Sequence, residues 1–126
     1  MVYAQIQQPP AEKFDQYFNE VFTGEGATYY SPESTHFKKL KKMYENRIHF
    51  TTYDAATIEA KGFDNLTSVP LNTVYNKGLQ RDTEFDINSF NPLKYYFDYH
   101  TRATQIFVLG NTNTVMVIYP QSITQQ

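Results

Sequence analysis

The chain contains no cysteine, which excludes disulfide scaffolds, thiolate nucleophiles and cysteine-ligated metal centres. It also has no run of the roughly 18 apolar residues that a helix needs to cross a bilayer. We therefore predict a soluble protein with no membrane insertion. The net charge of −2 creates no field that would concentrate the protein on phosphate backbones, so nucleic acid is not an expected partner.

Motifs that carry catalysis or bind metals are missing as well. The three histidines, His36, His49 and His100, do not fall in the H-E-x-x-H spacing or in another compact ligand spacing. No G-x-S-x-G segment is present, and the stretch from Gly24 to Gly26 is too short to cradle a phosphate. We predict no catalytic residue, no cofactor and no metal, and the sequence leans away from an enzyme.

Aromatic side chains, by contrast, are abundant. Tyr and Phe supply all of the 17% aromatic content of the 126 residues, and 40% of the residues are hydrophobic. A chain of this length buries roughly two-thirds of its unfolded surface, which is enough for one core. We predict a single α+β domain over residues 10–126, preceded by a flexible leader over residues 1–9.

Two amphipathic helices are predicted in the first half of the chain. The first starts at Pro10 and is ended by Gly24 and Gly26, and its apolar stripe comprises Phe14, Tyr17, Phe18, Val21 and Phe22. The second follows the start signal Ser31-Pro32-Glu33 and stops at Asn46, with Phe37, Leu40 and Tyr44 on its apolar side. Such stripes are more often core faces than partner-binding faces, and we interpret both as core.

Runs rich in β-branched and aromatic residues then predict strands. Residues 48–53 and 93–100 alternate between apolar and polar side chains, and two further runs, 105–109 and 114–119, flank the turn Gly110-Asn111-Thr112-Asn113. A helical start at Asn91-Pro92 competes with the strand over 93–100, and aromatic enrichment and alternation favour the strand. The predicted fold is α+β, with two N-terminal helices packed on a mainly antiparallel, two-layer sheet of about four strands.

Residues 54–92 show little regular pattern. Asp54 predicts a short helical turn through Ile58 and Ala60, and Leu71–Tyr75 is a candidate strand. Glycine and proline interrupt the later runs, so we expect an ordered loop with short elements. A connection of this length either hides a strand or carries function.

The two C-terminal runs are apolar without alternation, which indicates that both faces of this hairpin are covered. The helices cover one face, and the other requires the middle segment or a second subunit. This pattern predicts an unknown protein partner, or self-association into a dimer, through the 104–119 hairpin.

One polar cluster is a candidate ligand-binding site. Tyr96, Asp98 and His100 share a face of the predicted strand, where a carboxylate can orient an imidazole beside a phenol, and His49 is placed to join them from another strand. The competing interpretation is a solvated outer face of an antiparallel sheet, which is the commoner role of such residues.

Three weaker signals concern charge, glycosylation and export. The lysine run Lys38–Lys42 fits a solvated helix face better than a nucleic-acid patch. Asn65-Leu66-Thr67 matches the glycosylation pattern, which has meaning only in a secreted protein. The Thr-, Asn-, Gln- and Tyr-rich composition, with Val2 and Ala4 at positions that a signal peptidase reads, favours periplasmic or extracellular export over a cytoplasmic location.

Two functional hypotheses follow. The first is a non-enzymatic binding or structural-interaction protein, supported by the two-sided apolar hairpin. The alternative is a small-ligand-binding protein or enzyme with a pocket between the helices and the sheet, using the four residues of the candidate site.

Overall fold

The computed structural model describes residues 7–29, 31, 33–97 and 102–120. These ranges contain four α-helices, which are α1 (Phe14–Val21), α2 (Glu25–Tyr29), α3 (Thr35–Asn46) and α4 (Ala55–Lys61). They also contain four strands, which are β1 (Ile48–Thr52), β2 (Asp64–Asn65), β3 (Gln105–Val108) and β4 (Thr114–Ile118). Three short 3₁₀ turns complete the elements, at Ala11–Lys13, Leu66–Ser68 and Pro92–Lys94.

The strands form one sheet in the order β1-β4-β3-β2. β4 is antiparallel to both of its neighbours, pairing Phe50 with Met116 on one side and Phe107 with Met116 on the other. β2 is parallel to β3 over only two residues. The predicted α+β fold with a mainly antiparallel sheet of four strands is therefore confirmed.

The larger core lies between one face of this sheet and the N-terminal helices. The predicted stripe of α1 is buried, and so are Phe37 and Tyr44 of α3. Rings from the two helices meet edge to face, with centroids 5.5 Å apart for Phe14 and Phe37 and 5.2 Å for Phe14 and Tyr44. Burying each such side chain stabilises the fold by about 1.5–3 kcal/mol, so the aromatic stripes hold this layer together.

The start of the second predicted helix is displaced along the sequence. The start signal at residues 31–33 is followed by a turn, in which the Ser34 amide donates to the Ser31 carbonyl (2.8 Å), and α3 begins at Thr35. Ser34 is the N-cap, because its Oγ accepts from the Phe37 amide (3.1 Å). The helix ends at Asn46, as predicted. α2, after Gly24, was not predicted.

The strand predicted over residues 93–100 is wrong for residues 93–97, and its last three residues lie outside the described part of the chain. Asn91 Oδ1 accepts from the Leu93 amide (3.0 Å), and Pro92 opens a 3₁₀ turn. Tyr95 then makes an isolated antiparallel bridge with Leu71, so the candidate strand from Leu71 contributes one bridge. The start signal at Asn91-Pro92 prevails because the capping bond fixes the first turn.

Two other segments bear on the predicted boundaries. The Gln7 amide and carbonyl pair with Phe50 at 2.8 and 2.7 Å, and Pro9 is buried, so the end of the predicted leader contacts β1. Residues 1–6 lie outside the described part, and the division at residue 10 stays a prediction.

Asp54 caps α4, as predicted. No helix in the described ranges is long and apolar enough to span a membrane.

Candidate functional site

The predicted ligand-binding residues are only partly described. Asp98 and His100 fall outside the described residues. Tyr96 is 61% exposed, and its amide donates to the Pro70 carbonyl at 2.8 Å. His49 lies half-buried on β1, with its ring 5.0 Å from that of Tyr119. The two described members therefore have different neighbours, and the four-residue site stays a prediction.

The space between the helices and the sheet is filled by aromatic rings. Phe90 lies between Phe50 and Tyr95, with centroid distances of 5.9 and 5.8 Å. All three side chains are at most 2% exposed. Rings at these separations are in packing contact, so this central region of the layer is a packed core.

The opposite face of the hairpin is covered by the chain itself. Val108, Val115 and Val117 form a second buried cluster on this face. The side chains packed against them include Tyr53, after β1, together with Ile58 of α4 and Phe63. The sequence left two ways to cover this face, the middle segment or a second subunit. In the structure, side chains of the middle segment cover it.

Beside this cluster, a groove separates α4 from the β3–β4 turn. We call it the α4 groove; its volume is about 370 Å³, within the range of ligand sites, and it is open to solvent. Its apolar lining is Ala55, Ile58, Phe63 and Val108. Its polar lining is Glu59, Asn65, Asn111, Thr112 and Asn113, and Gly62 and Gly110 complete it.

The helical wall of the groove is fixed at both ends. At the start of α4, Asp54 Oδ1 accepts from the Thr57 amide at 2.7 Å, and these hydrogen bonds to Thr57 lower the pKa of the Asp54 carboxyl. At its end, Gly62 adopts φ 63°, and its amide donates to the carbonyls of Ile58 and Glu59. This left-handed C-cap favours glycine, so the sequence defines where α4 stops.

The turn wall is tied down by side-chain hydrogen bonds. Asn65 Nδ2 donates to the Gly110 carbonyl at 2.6 Å, and Asn65 Oδ1 accepts from the Thr67 amide at 3.0 Å. Thr112 Oγ1 donates to the Leu109 carbonyl at 2.7 Å. The asparagine of the glycosylation pattern therefore has a structural role, joining β2 to the hairpin turn.

Three polar side chains of the lining remain without such bonds. Within the described residues, the side chains of Glu59, Asn111 and Asn113 make no hydrogen bond, and all three residues are exposed. Glu59 is the charged member of the lining. The groove thus combines an apolar surface with one carboxylate and two amides that are available to a ligand.

A second polar cluster surrounds Lys94, in the 3₁₀ turn that follows Asn91. Lys94 is 9% exposed, and its Nζ lies 3.1 Å from Asp82 Oδ2 and donates to the Gln80 carbonyl at 2.7 Å. The Tyr95 hydroxyl donates to the same carboxylate oxygen at 2.8 Å. These bonds tie residues 80–82 to the 3₁₀ turn, so we interpret the cluster as structural.

Burial also changes the ionisation of this cluster. It raises the pKa of Tyr95 to about 12, because the phenolate would lose its hydration, and the neighbouring Asp82 carboxylate adds to the rise.

The α4 groove was missed by the sequence reasoning, although its parts were visible. Asp54 and the turn after β3 were both identified, but nothing in the sequence placed α4 against the hairpin. Comparison with known proteins adds no function, because no family model, curated protein or solved structure matches the chain.

Proposed function

We propose that the protein is a non-enzymatic binding domain that holds a segment of a polypeptide partner in the α4 groove. The observation that carries this proposal is the set of exposed polar side chains, Glu59, Asn111 and Asn113, beside an apolar lining. Asparagine side chains both donate and accept hydrogen bonds, so they match the amides of a peptide backbone. A groove open to solvent suits an extended segment, which can enter and leave at its ends.

This proposal narrows the interaction surface expected on the 104–119 hairpin. Strand β4 of this hairpin offers little free apolar surface, since Val115, Met116 and Val117 are at most 7% exposed. The turn that joins β3 to β4 forms one wall of the groove. We therefore place the partner contact at the turn and α4, and not along β4.

The alternative hypothesis, a small-molecule pocket between the helices and the sheet, receives less support. A ligand there would have to displace Phe90 from its neighbours Phe50 and Tyr95, whose rings are buried. Losing the packing of one large buried aromatic side chain destabilises a protein by roughly 3–5 kcal/mol, so a ligand would have to offset a cost of this order.

Export forms a second part of the proposal, and it rests on the composition that favoured it. Fractionation of the producing cells, followed by N-terminal sequencing of the native protein, tests it. Recovery outside the cytoplasm supports export, and recovery only in the cytoplasm contradicts it.

Peptide display on matched variants tests the binding proposal. Ala55→Trp places a bulky ring in the groove lining, whereas Ala60→Trp adds the same ring at an exposed position of α4 outside the lining. A random library of displayed peptides is selected on the unchanged protein, and the enriched peptides are then measured against both variants.

The expected result is that binding by enriched peptides drops at least tenfold on Ala55→Trp and stays within twofold on Ala60→Trp. We expect this because the first ring occupies the space of the partner. Failure to enrich any peptide, or equal binding to both variants, contradicts a groove for polypeptides. Circular dichroism of the variants confirms that both remain folded.

A further inference from the structure

We infer that the α4 groove accepts a lysine or arginine side chain of its partner. This inference rests on the proposed function, because it names the residue type that a polypeptide partner presents. The site would take the aliphatic stem of that side chain along the apolar lining and its cationic head at Glu59.

The charge of the groove supports a cationic ligand. Glu59 carries the charge of the lining, and its carboxylate has no hydrogen-bond partner in the described ranges. From Asp54 to Asn65, the elements that build this wall carry three carboxylates, on Asp54, Glu59 and Asp64, against the single ammonium of Lys61. A cation approaching this wall therefore meets a segment with an excess of negative charge, which attracts it at low salt.

The shape of the lining supports a long side chain. Lysine and arginine carry three or four methylene groups below the charge, and such stems lie along apolar surfaces while the head stays in water. Ile58, Phe63 and Val108 provide that apolar surface next to Glu59. A carboxylate ligand would be repelled by Glu59, and a purely apolar side chain would gain no electrostatic attraction from it.

The amide side chains complete the recognition of the head group. An ammonium has three donors and a guanidinium has five, so one carboxylate does not satisfy either. The amide oxygens of Asn111 and Asn113, on the opposite wall, can accept the remaining N–H groups. This arrangement favours a cation with several donors over a quaternary amine, which has none.

The test uses small capped amino acids as probes and ¹⁵N-edited NMR of the protein as the readout. N-acetyl-lysine methylamide, N-acetyl-arginine methylamide, N-acetyl-norleucine methylamide and N-acetyl-glutamate methylamide are titrated separately at low salt. Norleucine keeps the aliphatic stem and lacks the charge. The variant is Glu59→Gln, and the control is Glu25→Gln, which removes an exposed glutamate from α2.

We expect the lysine and arginine probes to shift the amides of Glu59 and Asn111–Asn113. Their binding weakens about two- to fivefold in Glu59→Gln, the size typical of an exposed ion pair, and stays unchanged in Glu25→Gln. Raising the salt to 0.5 M weakens the cationic probes and leaves norleucine unaffected. The glutamate probe is expected to produce no shifts.

Four outcomes overturn the inference, and three of them leave the proposed function in place. Equal binding of lysine and norleucine, or no change in Glu59→Gln, removes the preference for a cation and leaves a peptide groove in place. Absence of shifts with every probe, together with no enriched peptide in the display experiment, removes both. If peptides enrich but lack lysine and arginine, the binding proposal stands and this inference fails.

Discussion

At the scale of single residues, the buried charge of Lys94 is the least expected feature. Its pairing with Asp82 compensates for lost hydration, and such pairs are often no more stable than apolar residues of similar volume. What the pair does provide is directionality, because Lys94 also reaches the Gln80 carbonyl and Asp82 also accepts from Tyr95. The cluster therefore fixes the position of residues 80–82, within the long segment 54–92, against Lys94 and Tyr95.

The buried tyrosines predict that the protein loses stability in alkaline solution. Burial raises the pKa of Tyr95 to about 12, and burial also raises the pKa values of Tyr17 and Tyr44 above their usual 10. Between pH 10 and about 12 the unfolded chain loses phenolic protons that the folded chain retains. The stabilisation by neutral Tyr95 is thus fully present below pH 10 and disappears as pH rises towards 12.

Urea unfolding at pH 8, 10 and 11 measures this loss, and absorbance at 295 nm follows phenolate formation. We expect the free energy of unfolding to fall from pH 10 to 11, and to fall less in Tyr95→Phe, which has no phenolic proton at that position. A titration in which all eleven tyrosines ionise together near pH 10 in the folded state contradicts the assignment.

Residue-level predictions from the sequence succeeded where the pattern was local. The stripe of α1 was correct because its spacing of three and four places all its members on one face. The contacts of Lys94 with Asp82, twelve residues away, and of Asn65 with Gly110, 45 residues away, were not predicted. Periodicity reports which side a residue faces and does not report which distant group meets it there.

At the scale of elements, two glycines with similar backbone angles have different surroundings. Gly62, at the end of α4, has φ 63°, and an added Cβ would have no atom within 4 Å. Gly110, in the β3–β4 turn, has φ 64°, and an added Cβ would lie 2.7 Å from the Phe85 ring. A residue with a Cβ would be strained at both positions because the backbone is left-handed, and at Gly110 its Cβ would also clash with Phe85.

Replacing each glycine by alanine separates these two effects. We expect Gly62→Ala to lower the free energy of unfolding by about 1–2 kcal/mol, the cost of the left-handed conformation for a residue with a Cβ. Gly110→Ala should cost more than Gly62→Ala, because the added methyl group meets the Phe85 ring. Urea denaturation with a common slope measures both.

A companion variant isolates the clash. Adding Phe85→Ala to Gly110→Ala should restore part of the difference, relative to Phe85→Ala alone, because the ring is gone. Equal costs for the two glycine substitutions would show that the turn moves freely away from Phe85.

The elements also show why part of the sheet was mispredicted. Residues 93–97 alternate like a strand, and Tyr95 and Phe97 are indeed buried while Tyr96 is exposed. The first turn is nevertheless 3₁₀, since the cap from Asn91 and the ring of Pro92 set its backbone. Alternation matched the burial of the aromatic residues but not that of Lys94, which is also buried, and the local capping chemistry decided the hydrogen bonding. The fourth strand is instead β2, too short at two residues to leave a pattern.

At the scale of the whole molecule, the central strands of the sheet are covered on both faces by one chain. Ile118 and Met116 of β4 face the larger core, and Val115 and Val117 face the smaller one. The apolar hairpin that suggested a second subunit is thus covered on both faces by side chains of the same chain.

We therefore expect the protein to sediment as a monomer near its mass of 14.7 kDa at micromolar concentrations. The physical reason is that the apolar side chains of β4 contribute almost no exposed surface that association would bury. Sedimentation velocity at several concentrations measures this. A dimer that persists on dilution, and that is abolished by a charge placed on the hairpin strands, contradicts it.

The position of β4 between β1 and β3 has a consequence for biosynthesis. β1 is translated more than 60 residues before its partner, since Ile48 pairs with Ile118. A nascent chain that has not yet produced residues 114–118 has nothing to join β1 to β3, and loop closure over such a distance is slow compared with local helix formation. The sheet therefore stays incomplete on the ribosome until residues 114–118 have emerged, and in that interval Val108 lacks Val115 and Val117, its partners in the smaller core.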